Sequence, residues 1–296
     1  MLPSQWYYSK RLLITLSTAI ILSVIWFGFI HRQYIISKFF ILPSNKTKNV
    51  STTAVISYTP KPYKPRQHPY MALLNIQHTN GSDNCGGTLI ERKYILTAAH
   101  CVDGASSVWI LLGTDNIEKE EKSTVYLESE NFIVHENYNN LTYDHDIALI
   151  YLNDNLTINE HVNTVSLLRH ISSRGRTYVV GWGLPNLGQG LNDKLLGKLV
   201  TVVNNTFCFQ NTDVYDYSKL CAFGTEAGPC HGDSGGPLLL DDIQVGIVSG
   251  GDKYCNTSVP TVYTNTSYYW QWIKDNTERN ELDKSKRKPH KLCGNC

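Results

Sequence analysis

The sequence predicts an all-β domain, either a sandwich or a pair of barrels. Short apolar runs recur between turn signals, and only one stretch near the end has helical periodicity. The chain has 296 residues, 42% hydrophobic and 18% charged, which provides a real core and too little charge for disorder. A formal net charge of +1 argues against nucleic acid as the main partner.

Regular structure is expected to begin near Pro69-Tyr70-Met71-Ala72-Leu73-Leu74. The following runs are Val108–Leu112, Thr124–Leu127, Ile147–Leu152, Tyr178–Val180, Lys198–Val203, Pro237–Leu240 and Val245–Ser249. They are strand-length, partly β-branched and bounded by Gly, Asn and Asp, the composition of strands joined by tight turns. Thr266–Thr277, with Tyr269, Trp270 and Ile273, reads as a helix. Upstream, Pro60, Pro62 and Pro65 make an extended, helix-hostile run, so residues 31–55 and the prolines beyond them read as a stem or pro-segment.

The N-terminus carries a different signal. Residues 12–30 hold no charge, Lys10 and Arg11 precede them, and His31 and Arg32 follow. Nineteen uncharged residues can cross a bilayer as a helix. A cleaved signal peptide has a shorter apolar region and a small-x-small exit, whereas Trp26, Phe27, Gly28 and Phe29 lead up to Ile30. The expectation is a transmembrane signal-anchor helix behind a cytoplasmic segment, residues 1–11, with a cleaved signal as the alternative. Charge counting alone favours the opposite orientation, because Arg32, Lys38, Lys46 and Lys48 outnumber Lys10 and Arg11.

Cysteine use points to the secretory pathway. Eight cysteines stand at 85, 101, 208, 221, 230, 255, 293 and 296, and spacing alone fixes no pairing. Sequons at Asn45, Asn49, Asn80, Asn140, Asn155, Asn204, Asn256 and Asn265 agree with that compartment.

The chemistry concentrates in three short motifs. Gly232-Asp233-Ser234-Gly235-Gly236-Pro237 sets a serine on a tight turn with backbone N–H groups beside it, as an attacking nucleophile and an oxyanion site require. Thr97-Ala98-Ala99-His100-Cys101 offers an imidazole base, and Asp146-Ile147-Ala148-Leu149 a carboxylate to orient it. Asp144 and His145 are rival candidates, but register with the Ile-Ala-Leu strand favours Asp146. The order His, Asp, Ser, with Cys85-Gly86-Gly87 and Val180-Gly181-Trp182-Gly183, resembles the chymotrypsin-like (trypsin-fold) serine proteases. The resemblance covers about residues 56–278. An α/β-hydrolase esterase would run Ser, Asp, His instead.

That resemblance implies two packed antiparallel β-barrels and a C-terminal helix. It implies a serine endopeptidase with Ser234 as nucleophile, His100 as general base and acid, and Asp146 as its orienting carboxylate. The N–H groups of Gly232 and Ser234 would form the oxyanion hole. Disulfides Cys85–Cys101, Cys208–Cys221 and Cys230–Cys255 are implied, as is a substrate pocket with Gly228 at its base and Ser249, Gly250, Gly251 and Thr261 along it. Ser249 would also support Asp146. Asp233 matches the carboxylate that pairs with the new N-terminal amine after precursor cleavage.

Four departures stand against the pattern. The expected cleavage site reads Thr53-Ala54-Val55-Ile56-Ser57-Tyr58, with no basic residue before Val55 or Ile56 and no glycine pair. Gly228 is not an acid, so Lys and Arg substrates lose a salt-bridge partner, and Thr261 shortens the slot; a medium apolar side chain before the scissile bond is expected. Gly250 replaces a tryptophan usual on the substrate-facing wall. Thr114–Glu121, with Asp115, Glu118, Glu120 and Glu121, covers a calcium loop of relatives but has Thr114 for an acidic ligand; a solvated loop and no metal are expected.

The tail, residues 279–296, holds Lys284, Lys286, Arg287, Lys288 and Lys291 and ends Cys293-Gly294-Asn295-Cys296. It reads as a basic segment in which Cys293 or Cys296 forms a local disulfide or links a partner. Taken together, the sequence predicts a serine endopeptidase acting on proteins or peptides without a cofactor, secreted or membrane-anchored with the protease domain outside. The alternative is a catalytically weak homologue used as a binding or cofactor module.

Overall fold

The computed structural model describes residues 67–286, except 120, 170–176, 185–189, 205, 209–215 and 225–226. The 12–30 segment, the stem, Val55–Ser57 and the tail cysteines Cys293 and Cys296 lie outside the described residues. Among the described residues, no helix is long and apolar enough to cross a membrane.

The described strands form two antiparallel units. In the first, β1 (Met71–His78), β2 (Gly81–Glu91), β3 (Tyr94–Thr97), β4 (Ser107–Leu112), β5 (Val125–Ser129), β6 (Phe132–Val134) and β7 (Ala148–Tyr151) make a seven-stranded sheet in the order β5-β4-β1-β2-β3-β7-β6. In the second, β8 (Thr177–Gly181), β9 (Leu196–Val203), β10 (Lys219–Gly224), β11 (Pro237–Leu240), β12 (Ile243–Gly250) and β13 (Thr261–Asn265) close a barrel in the order β10-β13-β12-β11-β8-β9. Closure removes the unpaired edges that an open sheet would leave. A one-turn helix, α1 (Ala99–Val102), follows β3, and α2 (Trp270–Lys286) ends the described chain.

One cluster of buried side chains joins the units. It includes Leu74, Ile95, Leu96, Ile110 and Leu149 of the sheet, Trp182, Leu239 and Ile247 of the barrel side, and Tyr269 and Ile273 at the start of α2. A second cluster, Val179, Val200, Leu220, Leu238, Val245 and Tyr263, fills the barrel. β3 and β7 are buried at every position and pair Leu96 with Leu149. Their continuous apolar runs follow from burial on both faces.

Every apolar run read from the sequence contributes to a strand, but the boundaries and the omissions are informative. β2, Gly-Ser-Asp-Asn-Cys-Gly-Gly-Thr-Leu-Ile-Glu, has turn-like composition and is held by partners on both sides, β1 and β3. Pairing overrides its local preference. The helix starts at Trp270 rather than Thr266 and runs to Lys286, because Thr266–Tyr269 form turns. There Thr266 N–H bonds Val245 O, tying that segment to the barrel.

One buried group gives the fold a pH dependence. His68 is 2% exposed, and its Nδ1 lies 2.8 Å from the Tyr70 hydroxyl. Burial lowers its pKa from 6.5 to about 4, against an opposing pull from Asp242. Between those values the unfolded chain binds a proton that the folded chain does not. Stability is therefore full above about pH 6.5 and is lost as pH falls toward 4, by up to about 3 kcal/mol from this group. Urea midpoints of wild type and His68→Gln between pH 7 and 4 check this. A shallower acid slope in the variant is expected, and equal slopes would exclude the assignment.

Candidate active site

Three segments converge where the two units meet. His100 lies in α1 directly after Ala98 and Ala99, both fully buried, which anchor the turn in the core. Asp146 immediately precedes the buried run of β7 and is itself 1% exposed. Ser234 sits in the tight loop that leads into β11.

Asp146 is the centre of the hydrogen bonding. Its Oδ2 lies 2.8 Å from His100 Nδ1 and accepts the Ser249 hydroxyl at 2.6 Å. Oδ1 accepts the backbone N–H of His100 at 2.9 Å, and the Asp146 carbonyl accepts the Thr264 hydroxyl at 2.7 Å. A carboxylate with this many donors is fixed in place, and it fixes the imidazole it touches. The His100 side chain keeps 17% exposure toward the cleft. Behind it, the Cys85–Cys101 disulfide brings Cys101 Sγ within 3.7 Å of Nε2.

The serine loop is held by backbone bonds in both directions. Gly86 N–H donates to Ser234 O at 2.7 Å, and Gly235 N–H donates to Val248 O at 2.8 Å. Gly235 has φ +77, and a Cβ there would run into the Thr97 hydroxyl and Gly86 O. The loop can lie this close to the first sheet only with glycine at that position. Gly232 has φ +92 and lines the same cleft as His100 and Ser234.

That cleft has two lobes, of about 430 and 680 Å³, and His100, His231 and Ser234 line both. Ser249, Gly250, Gly251 and Thr261 line the larger one. Gly251 faces the Thr261 hydroxyl, whereas a Cβ on Gly250 would meet nothing within 4 Å. Gly228 lies beside Thr257 and is not among the residues lining that lobe.

Comparison with known proteins gives the family. The family profile described as Trypsin matches residues 59–273. The chain belongs to the trypsin family. It is 39% identical to chymotrypsin of Phaedon cochleariae over 223 residues, 72% of this chain and 79% of the relative. Brachyurin of Leptuca pugilator is 37% identical, over 65% of this chain and 87% of its own length. The solved structure of HL collagenase superposes with TM-score 0.67 at 29% identity, covering 74% of this chain and 97% of that one. As a member of the trypsin family, the chain is a hydrolase of the serine endopeptidase class.

The structure also separates Asp146 from its rivals. Asp144 is paired with Lys219 at 2.8 Å, a contact that holds its carboxyl below the usual range. His145 Nδ1 lies 2.9 Å from the Tyr269 hydroxyl, and its ring stacks on His135 at 4.8 Å. Neither group is bonded to His100. All three disulfides implied by the trypsin-family resemblance form: Cys85–Cys101, Cys208–Cys221 and Cys230–Cys255. The last braces the serine loop against the segment from Asp252 to Cys255, where His231 Nε2 lies 3.0 Å from Lys253 O. In the Thr114–Glu121 loop, the Thr114 hydroxyl and the Asn116 side chain cap neighbouring backbone groups.

Asp233, between Gly232 and Ser234, is 2% exposed and has two backbone donors. Oδ1 accepts Gly183 N–H at 2.8 Å and Oδ2 accepts Cys230 N–H at 3.0 Å. A Cβ at Gly181 or Gly183 would fall on this carboxylate, which explains the glycines flanking Trp182. Its third partner is Lys198 Nζ, at 3.0 Å.

Two residues of this region escaped the sequence reading. Tyr143, with φ +56, sets its ring 5.3 Å from that of His100 at the cleft edge. It lies in a loop of ordinary composition, and no local signal marked it. Lys198 could have been found: it occupies an inward position of a strand whose next inward residue, Val200, is barrel core.

Proposed function

We propose that the chain cleaves peptide bonds through an acyl-enzyme on Ser234. His100 removes the Ser234 proton and returns it to the leaving amine, Asp146 holds the imidazole tautomer, and the N–H groups of Gly232 and Ser234 receive the oxyanion. The observation that carries this reading is the buried Asp146, bonded at once to His100 and Ser249, beside a cleft that His100 shares with Ser234. Labelling with a serine-reactive fluorophosphonate tests it, with Ser234→Ala as control. Loss of label in a folded variant is expected, and equal labelling of both proteins would overturn the assignment. A folded wild type that takes no label would favour the binding-module alternative.

The substrate side chain before the scissile bond is proposed to be apolar and of medium size, such as leucine. Val248, Val259 and Val262 line the larger lobe, Lys219 there is already paired with Asp144, and the Asp252 carboxylate there accepts the backbone N–H groups of Tyr254 and Asn256. A peptide library should show leucine-class residues preferred over lysine and arginine by about tenfold or more, the scale of a pocket contact of one to three kcal/mol. Preference for lysine or arginine would overturn this reading of the pocket.

The protease domain is proposed to span residues 56–278 and to lie in the secretory pathway or outside the cell. The three disulfides support an oxidising compartment. Residues 12–30 would serve as the membrane anchor, the sequons as glycan acceptors, and Cys293 or Cys296 as a link to a partner. Deleting residues 1–31 behind a heterologous signal should release the domain in soluble form.

A further inference from the structure

The buried cation beside the oxyanion segment is a lysine side chain of the barrel itself. Lys198 stands on β9 opposite Val179 of β8, with its side chain 10% exposed. Its ammonium meets the Asp233 carboxylate at 3.0 Å, and that side chain is 3% exposed. An isolated charge of either sign would be strongly disfavoured here. Each is compensated by the other, and the N–H groups of Gly183 and Cys230 are the carboxylate's other donors among the described residues. Asp233 lies between the two residues whose N–H groups would receive the oxyanion, so its position sets theirs.

We propose that Lys198 is the counter-ion that assembles the oxyanion segment, so that the site forms without cutting the chain near residue 55. The inference rests on the Ser234 acyl-enzyme reading. Two independent observations meet in it. One is the buried Lys198–Asp233 pair. The other is the run Thr53-Ala54-Val55-Ile56-Ser57, which lacks the basic residue and the glycines of a precursor cleavage site. Lys198 touches no reacting atom. It is a positioning residue that acts through Asp233 on the Gly232 and Ser234 backbone.

The test uses the full chain and the fluorophosphonate labelling rate, with mass spectrometry of the labelled polypeptide to establish whether residues 45–52 are still attached. The uncut wild type is expected to label at Ser234. Lys198→Met keeps the aliphatic stem and removes the charge; its labelling should slow by about 100-fold or more, the effect of losing an oxyanion donor, with near-ultraviolet dichroism retained. Lys198→Arg should stay within about tenfold of wild type, and it keeps the test open should the methionine variant fail to fold. In Lys198→Ala, added propylammonium should restore at least tenfold of the rate, and 1-propanol of matched size should not. That contrast separates a charge role from packing.

Three results would overturn the inference and leave the protease reading standing. These are wild-type labelling only after a cut near residues 53–57, a folded Lys198→Met chain that labels like wild type, or equal rescue by propylammonium and propanol. A folded wild type that labels neither cut nor uncut would instead remove the acyl-enzyme reading, and this inference with it.

Discussion

Ser234→Ala is expected to lower kcat by about 10⁶-fold, or about 8 kcal/mol of transition-state stabilisation. No other change to a single side chain should do more. The hydroxyl oxygen is the atom that would bond the substrate carbonyl, and without it His100 has only water to deprotonate. Residual hydrolysis would come from water held in the cleft and from the backbone donors of Gly232 and Ser234, which the substitution leaves in place. Folding should be untouched, because the loop is held through Ser234 O and Gly235 N–H, both main-chain groups. Peptide hydrolysis and thermal melting on the same preparation check both halves. Retained turnover with an unchanged melting curve would show that Ser234 is not the nucleophile.

Asp146→Asn should have a smaller but still large effect. The loss measured for the same change in serine proteases of this kind, about 10⁴-fold in kcat, is the expected size. The amide can turn its NH₂ toward His100 Nδ1, which must then accept, leaving the ring proton on Nε2 where a base is needed. The His100 backbone N–H donates to Oδ1 and so keeps the amide oxygen there and the NH₂ at the Oδ2 position, where the Ser249 hydroxyl must turn from donor to acceptor. KM should change little, since Asp146 is 1% exposed and does not line the cleft. A kcat within tenfold of wild type would show that the imidazole is oriented by something else.

The catalytic candidates were legible because their chemistry needs particular residue types in short, fixed contexts. A serine on a turn, a histidine after two small residues and an aspartate before a buried strand can each be read locally. The all-β class was legible for a similar reason, since short, β-branched apolar runs and the turn residues between them are local properties. β2 was not legible, because its Gly, Asn and Asp residues become a strand only between two partners. Tyr143 was missed because a loop residue gains its place from the groups around it.

The sequence by itself determined the class of fold, the His100, Asp146 and Ser234 motifs and the absence of a basic residue before Val55. Tertiary structure alone decided that Asp144 belongs to Lys219, that His145 belongs to Tyr269, and that Asp233 has Lys198 as its cation. Lys198 and Asp233 are 35 residues apart in the chain. Motifs are set by local sterics and spacing, whereas charge pairing depends on which side chains barrel closure buries together, and a buried charge must take the partner that closure provides.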